Sequence, residues 1–265
     1  MEVLYGLHPV EEALRSGSER LDRLVVARER RDEKLERILS LARNCKVRVS
    51  LEPREQLTRI AKTDTHQGVL AFLRDREFLS IEDLLSAEIG RHRFFLALDG
   101  VEDPHNLGAL LRTADGAGVD GVILPERRSA PISATVAKTS AGASEHVRIA
   151  RVTNLVRSLE QMKKSNIWVI GLDERGTPDY TDFDFATDCV LVLGREGAGL
   201  HDLVKKTCDY LLRIPMGGQV SSLNVSVAGA VVMYEAMRQR RAASVQPKTA
   251  APSRPVKPRK GLGSL

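Results

Sequence analysis

Six short apolar runs in the later part of the chain constrain its fold most: Phe94–Leu98, Gly121–Leu124, Val147–Ala150, Ile167–Gly171, Cys189–Leu193 and Leu211–Ile214. None alternates polar with apolar residues. Helical patterns separate most of them, over Leu107–Ala117, Ala134–Ser140, Asn154–Lys164 and Leu200–Thr207. A strand that is apolar on both sides must be covered on both sides, and a helix between strands supplies the crossover that parallel pairing needs. The expected fold is α/β, a parallel sheet with helices on both faces. A last helical pattern, about Leu223–Arg240, is apolar on nearly every side from Val225 to Tyr234. Its outer face is expected to meet a second subunit.

Residues 1–76 read as a small α/β domain of order αβαβαβ. Helical spacing covers His8–Arg15, Glu33–Arg43 and Pro53–Ile60, and strand patterns cover Leu24–Ala27, Lys46–Ser50 and Gly68–Phe72. Residues 77–93 are charged and read as a linker with a short helical piece at Ile81–Leu85. The second domain is expected over 94–241. From Ala242 onward Pro, Ala, Ser, Lys and Arg dominate, so 242–265 reads as a disordered basic tail. Lys248, Arg254, Lys257, Arg259 and Lys260 account for the net charge of +5, and the rest of the chain has 35 basic against 35 acidic residues. A high isoelectric point is here the mark of a tail rather than of a basic binding face. The tail suits a flexible phosphate contact and a dispensable extension equally.

Several classes are disfavoured. Cys45, Cys189 and Cys208 are scattered, with no C-x-x-C, which suits neither a disulfide framework nor a zinc site and fits a cytoplasmic setting. The six histidines show no metal-ligand spacing, so no metal is expected. The N-terminus has no signal-peptide pattern and no run approaches a membrane span. Aromatics are 4% of the chain, too few for base stacking to be the main mode of binding.

Three glycine-rich loops follow strands of the second domain: Asp99–Gly108, Gly194–Gly199 and Ile214–Asn224. In open α/β sheets, ligands bind outside the carboxyl ends of the strands. There is no G-x-x-x-x-G-K-[ST] phosphate loop, and Gly194, Gly197 and Gly199 form G-x-x-G-x-G rather than the dinucleotide fingerprint G-x-G-x-x-G. Each notable residue has a plain local reading. Arg112 alone reads as a solvated helix residue. Asn106 suits a helix cap or an active-site hydrogen bond. Glu196 is a turn acid, or a group that orients Arg112 or a substrate. Ser222 sits where the last helix would be capped. Asn224 falls two residues inside that helix, where asparagine is unfavourable, so a functional role is expected.

Together these segments resemble a known family. Asn106-Leu-Gly-Ala-Leu-Leu-Arg112, Leu193-Gly-Arg-Glu-Gly197 and Ile214-Pro-Met with Ser222-Leu-Asn224-Val-Ser226 are similar to the three motifs of the SpoU (TrmH) RNA ribose 2′-O-methyltransferases, within the SPOUT superfamily. Lys138–Ala143 matches a further family segment. Tyr5–Leu14 and His66–Val69 resemble the L7Ae/L30e-like substrate-binding domain of members that methylate a guanosine in 23S ribosomal RNA. The resemblance implies a deep trefoil knot in the second domain and a homodimer. It implies S-adenosyl-L-methionine held near Gly194, Glu196, Gly197, Ile214, Met216 and Leu223. It implies catalytic roles for Arg112, Asn106, Glu196, Ser222 and Asn224. The expected partner is large-subunit rRNA, with no membrane. A tRNA 2′-O-methyltransferase and a non-catalytic RNA-binding protein are the alternatives.

Overall fold

The structure, a computed structural model, describes residues 2–15, 20–74 and 76–245. Most of the expected tail, 246–265, lies outside the described residues.

The first sheet begins earlier than expected. β1 (Glu2–Tyr5) precedes α1 (Leu7–Arg15), and then follow β2 (Leu21–Ala27), α2 (Glu33–Asn44), β3 (Arg48–Glu52), α3 (Arg54–Ala61) and β4 (Val69–Leu73). The strand order is β1-β4-β2-β3, with β4 antiparallel to β1 and β2, and β2 parallel to β3. β1 escapes a local reading because four residues carry little pattern and the partner lies far along the chain, Tyr5 opposite Leu70. β3 starts at Arg48, not at Lys46, because Lys46 leaves α2 in the left-handed region, φ 55°. β3 is an edge strand with Leu51 exposed, rather than half-buried. Val10, Leu24, Val26 and Ile38 pack on one face of the sheet, and Val25, Leu57 and Leu70 on the other. His66 is fully buried. Its Nδ1 accepts from the Gly68 N–H at 3.0 Å and its Nε2 lies 3.0 Å from Thr58 Oγ1, so it shapes the turn into β4 instead of facing a partner. Burial pushes its pKa down, which keeps the ring neutral and Nδ1 an acceptor.

Segment 77–93 is seated on the second sheet. Leu79 bridges Ala150, and α4 (Ile81–Leu85) starts at a Ser80–Asp83 capping box. Ile81 and Leu84 are buried against that sheet. Between the two parts, Arg20 and Arg76 both donate to the Glu145 carboxylate, at 3.3 and 2.5 Å.

The second sheet has six strands: β5 (Phe94–Leu98), β6 (Gly121–Pro125), β7 (Ile149–Val152), β8 (Trp168–Leu172), β9 (Cys189–Leu193) and β10 (Tyr210–Leu212). The order is β10-β8-β9-β5-β6-β7, and all pairs are parallel. The helices are α5 (Pro104–Gly116), α6 (Ala134–Thr139), α7 (Leu155–Lys164), α8 (Asp202–Thr207) and α9 (Val225–Val245). Phe94, Leu96 and Leu98 face one core and Phe95 and Ala97 the other, so β5 is covered on both sides. β7 starts at Ile149, not Val147, because a helical turn over Ala143–Glu145 still holds Val147 N–H on Ala143 O, 3.0 Å. The chain runs outward through β5, β6 and β7, returns to β8, and inserts β9 beside β5. The strand order therefore switches direction next to the ends of β5 and β9, where a crevice forms.

α9 differs at both ends from its sequence pattern. It starts at Val225, two residues later than expected, and continues through Val245. Ala242 and Ala243 are strong helix formers, and the first proline in the way is Pro247, so 242–245 is helix rather than tail. Its inner side buries Val232, Met233 and Ala236, while Val227 and Tyr234 are about half exposed, 49% each, on the outer side.

Arg240 fastens α9 to the sheet edge. Its guanidinium donates to the carbonyls of His92 at 2.5 Å, Arg93 at 3.1 Å and Thr187 at 2.5 Å, and lies over the Phe94 ring. The Cys189 thiol beside it is pushed up to about 12 by burial, so it stays a neutral, inert core group. Arg240→Ala leaves those carbonyls unpaired and is expected to cost about 2–3 kcal/mol. Urea unfolding should show a lower midpoint with an unchanged slope. An unchanged midpoint would mean that water replaces the guanidinium at no cost.

Candidate active site

A cavity of about 310 Å³ opens at the carboxyl ends of β8, β9 and β10. Gly194, Glu196, Gly197, Ile214, Met216 and Leu223, the six positions expected to meet a cofactor, all line it, and so does Ser222. Its floor is a tight turn. Arg195 N–H donates to Gly199 O at 3.0 Å and Gly199 N–H to Arg195 O at 2.9 Å, with Gly197 and Gly199 at φ 72° and 66°. At Gly194 a Cβ would stand 2.2 Å from Gly199 C and 2.4 Å from Leu200 N. Both contacts are backbone, so only glycine fits. Leu193, Ile214, Val225 and Ala228 add an apolar wall.

The opposite rim is charged, and it holds residues that motif reasoning missed. Asp173 follows β8, and its carboxylate pairs with Lys205 of α8. Burial raises the Asp173 pKa, but hydrogen bonds from Lys205 and the Arg175 N–H outweigh it and hold the carboxyl below its usual range. Glu174 and Arg175 complete this rim. A polar residue just past a parallel strand was the available signal. An apolar slot floored by glycine backbone, with a polar rim, suits a flat heterocycle bearing a charged chain.

Glu196 joins this cavity to the other loops. One carboxylate oxygen accepts from Asn106 Nδ2 at 3.1 Å and the other from Asn224 Nδ2 at 3.0 Å. Asn224 Nδ2 also donates to Asn106 Oδ1, 3.1 Å. One residue from each of the three glycine-rich loops thus meets at one carboxylate. The caps differ from expectation. Asp103 caps α5 by accepting from the His105 and Asn106 N–H groups, which frees the Asn106 side chain. Asn224, not Ser222, caps α9: its Oδ1 accepts from Ser226 N–H at 2.9 Å and Ser226 Oγ at 2.6 Å. Asn224 therefore precedes the helix, and the propensity argument for its importance fails. Its amide contacts replace that argument.

Arg112 stands apart from this cluster. Six residues along a helix amount to about 240° of rotation and about 9 Å of rise, so Arg112 and Asn106 face different directions. Arg112 is exposed, lines no part of the cavity, and has no hydrogen bond or ion pair among the described residues. It shares a stripe of α5 with Gly116, where a Cβ would come 3.1 Å from the Tyr234 hydroxyl of α9. The expected contact between Glu196 and Arg112 is absent, because Glu196 is occupied by the two asparagines. Among the described residues no group of three or more His, Cys, Asp or Glu could hold a metal. None of their helices is long and apolar enough to cross a membrane.

Comparison with known proteins places these features in context. Residues 93–234 match the SpoU rRNA methylase family, and residues 3–79 match the RNA 2′-O ribose methyltransferase substrate-binding family. YacO of Bacillus subtilis (strain 168), named for the TrmH family of tRNA/rRNA methyltransferases, is 41% identical over 241 residues, 90% of this chain and 96% of that one. The SpoU methyltransferase AviRb from Streptomyces viridochromogenes, in complex with the cofactor AdoMet, is similar with TM-score 0.70 and 26% identity, covering 91% of this chain and 90% of that one. The AdoMet-bound rRNA methyltransferase from Sinorhizobium meliloti is similar with TM-score 0.69 and 27% identity, covering 89% and 86%.

The cavity floor offers a direct test. Gly194→Ala forces a Cβ into the 195–199 turn and is expected to weaken S-adenosylmethionine binding by ~100-fold, about 2.7 kcal/mol. Isothermal titration reads this directly. Wild-type affinity in the variant would show that the ligand does not rest on this turn.

Proposed function

Because this chain belongs to the SpoU family of S-adenosylmethionine-dependent RNA methyltransferases, we propose that it methylates the 2′-hydroxyl of a guanosine in 23S ribosomal RNA, as the enzyme RlmB does. The observation that carries the reading is the convergence of Asn106, Glu196 and Asn224 beside the glycine-floored cavity. Two matches support a ribosomal substrate: the SpoU rRNA methylase match, and likeness to an rRNA methyltransferase across both halves of the chain. A tRNA ribose is the second reading, since YacO carries both substrates in its name.

In this proposal residues 1–76 recognise a folded RNA by shape, and residues 94–241 bind cofactor and dimerise. Gly194, Gly197, Ile214 and Leu223 would hold the cofactor's heterocycle, with Met216 and Glu196 beside it. Bound there, S-adenosylmethionine supplies an electrophilic methyl group on a sulfonium. The chain between β9 and α9 would carry the family's trefoil knot.

The protein's own residues must position a ribose hydroxyl and accommodate the charge that develops as its proton leaves. Asn106 and Asn224 fix Glu196, and the free N–H of Asn106 can reach a substrate oxygen. Ser222, exposed at the cavity edge, can donate or accept there. A guanidinium is a hydrogen-bond donor with no acceptor, so Arg112 is not the proton acceptor. Its planar fork suits a phosphate or a nascent alkoxide. Because it lies outside the lining of its own cavity, on the stripe of α5 that meets Tyr234 of α9 at Gly116, beside the α9 face that exposes Val227 and Tyr234, we propose that it serves the site of the partner in a homodimer.

Arg112→Ala is expected to leave S-adenosylmethionine affinity intact and to cut the single-turnover rate by ~10²-fold or more. Arg112→Lys should recover little. Arg112→Ala and Asn224→Ala protomers, each inactive alone, should regain about a quarter of the wild-type rate when mixed and re-annealed, because one site in each mixed dimer is whole. Near-wild-type activity of Arg112→Ala would remove its role, and no recovery on mixing would place it in its own subunit's site.

A further inference from the structure

We propose that Arg195, Arg128 and Ser129 form a cradle for one backbone phosphate of the RNA, on the outer side of the loop that follows β5. The proposal rests on the RNA-methylating reading above and adds Arg128 and Ser129, which lie outside the three family motifs.

Arg195 leaves β9 with its stem laid across Gly100. A Cβ on Gly100 would stand 2.6 Å from Arg195 Cγ and 3.0 Å from Cδ, and Gly100 has φ 86°, so this position accepts only glycine. The stem is therefore held in place, yet the guanidinium has no partner among the described residues and its Nε is buried without one. Ser129 Oγ is likewise buried and unpartnered. Its neighbour Ala130 donates to Val101 O at 3.0 Å, which puts Ser129 on the other flank of the same loop. Buried polar atoms without partners cost free energy unless a ligand satisfies them.

Arg128 is aimed at this place by a relay that starts from a buried carboxylate. Asp99, 6% exposed, accepts from the His201 N–H at 2.7 Å and from His201 Nδ1 at 2.8 Å. With Nδ1 donating, Nε2 is left as an acceptor, and it takes a hydrogen bond from Arg128 Nη1 at 3.2 Å. Arg128 itself sits at φ 59°, a left-handed conformation that costs energy in a non-glycine residue. His201 lies 3.4 Å from the Gly100 Cβ position that also contacts Arg195, so both arginines converge on one loop. Asp99 is engaged by His201 and Glu196 by the two asparagines, while Glu102, Glu126 and Asp202 are exposed and pair with neither arginine among the described residues. An anion is the missing charge. A phosphodiester matches two planar forks and one hydroxyl. Arg195 also lines the cofactor cavity, but Arg128 and Ser129 do not, so a ligand touching all three lies outside it.

The test uses the full chain, an unmodified 23S rRNA transcript and S-adenosylmethionine. Arg195→Met keeps the stem on Gly100 and removes the charge, and Arg128→Gln removes the second fork. Each is expected to weaken RNA binding about 10-fold and to lower the salt slope of binding by about one ion. In Arg128→Gln, which lies outside the cofactor cavity, S-adenosylmethionine affinity by calorimetry should not change, and this also reports intact folding. Wild-type RNA affinity and salt slope in both variants would overturn the cradle. A rise in the S-adenosylmethionine Kd with RNA binding unchanged would overturn it in favour of the cofactor's carboxylate. Failure of the wild type to bind or methylate rRNA or tRNA would instead remove the reading on which the cradle rests.

Discussion

Glu196 is the point at which the site is assembled. Its two oxygens accept from Asn106, at the start of α5, and from Asn224, at the start of α9. Those residues are separated from it by 90 and 28 positions in sequence. A carboxylate held by an amide on each oxygen is fixed in orientation. α5 and α9 also pack on the same face of the sheet, through Leu110, Met233 and Leu193 around Gly229. The hydrogen-bonded cluster and the apolar contact beneath it therefore set one geometry.

The sheet explains why these loops can meet. β9 is inserted beside β5 late in the chain, with Leu98 opposite Leu193. Both strands end at the same level, so the Asp99 and Gly194 loops emerge side by side. Cores on both faces keep the sheet rigid. Chemistry at this edge needs placement to a fraction of an ångström, which loops alone do not provide. The N-terminal part is tied to this frame through Glu145, which holds both Arg20 and Arg76.

Apolar runs bounded by charge and glycine were fully legible: β5 and β9 coincide with their sequence patterns residue for residue. β1 was not, because its evidence lies in a pairing with β4 and not in its own four residues. The start of α9 was misread because Leu223 prolongs the apolar pattern past the true cap, while cap geometry belongs to Asn224. The positions expected to meet a cofactor came from the resemblance, and they line one cavity. The orientation of Arg112 was not legible. Helix phase was computable, but only the observed cap and the position of Tyr234 say which way that phase points. Asp99 and His201, 102 residues apart, carry no local signal at all.

The central claim is that Asn106, Glu196 and Asn224 act as one unit. A double-mutant cycle of Glu196→Ala and Asn224→Ala, read as single-turnover methylation with saturating S-adenosylmethionine, measures this directly. The account predicts strong coupling: the double variant should be hardly slower than the slower single variant. Losses that simply multiply would mean that the two residues act independently, and would contradict it.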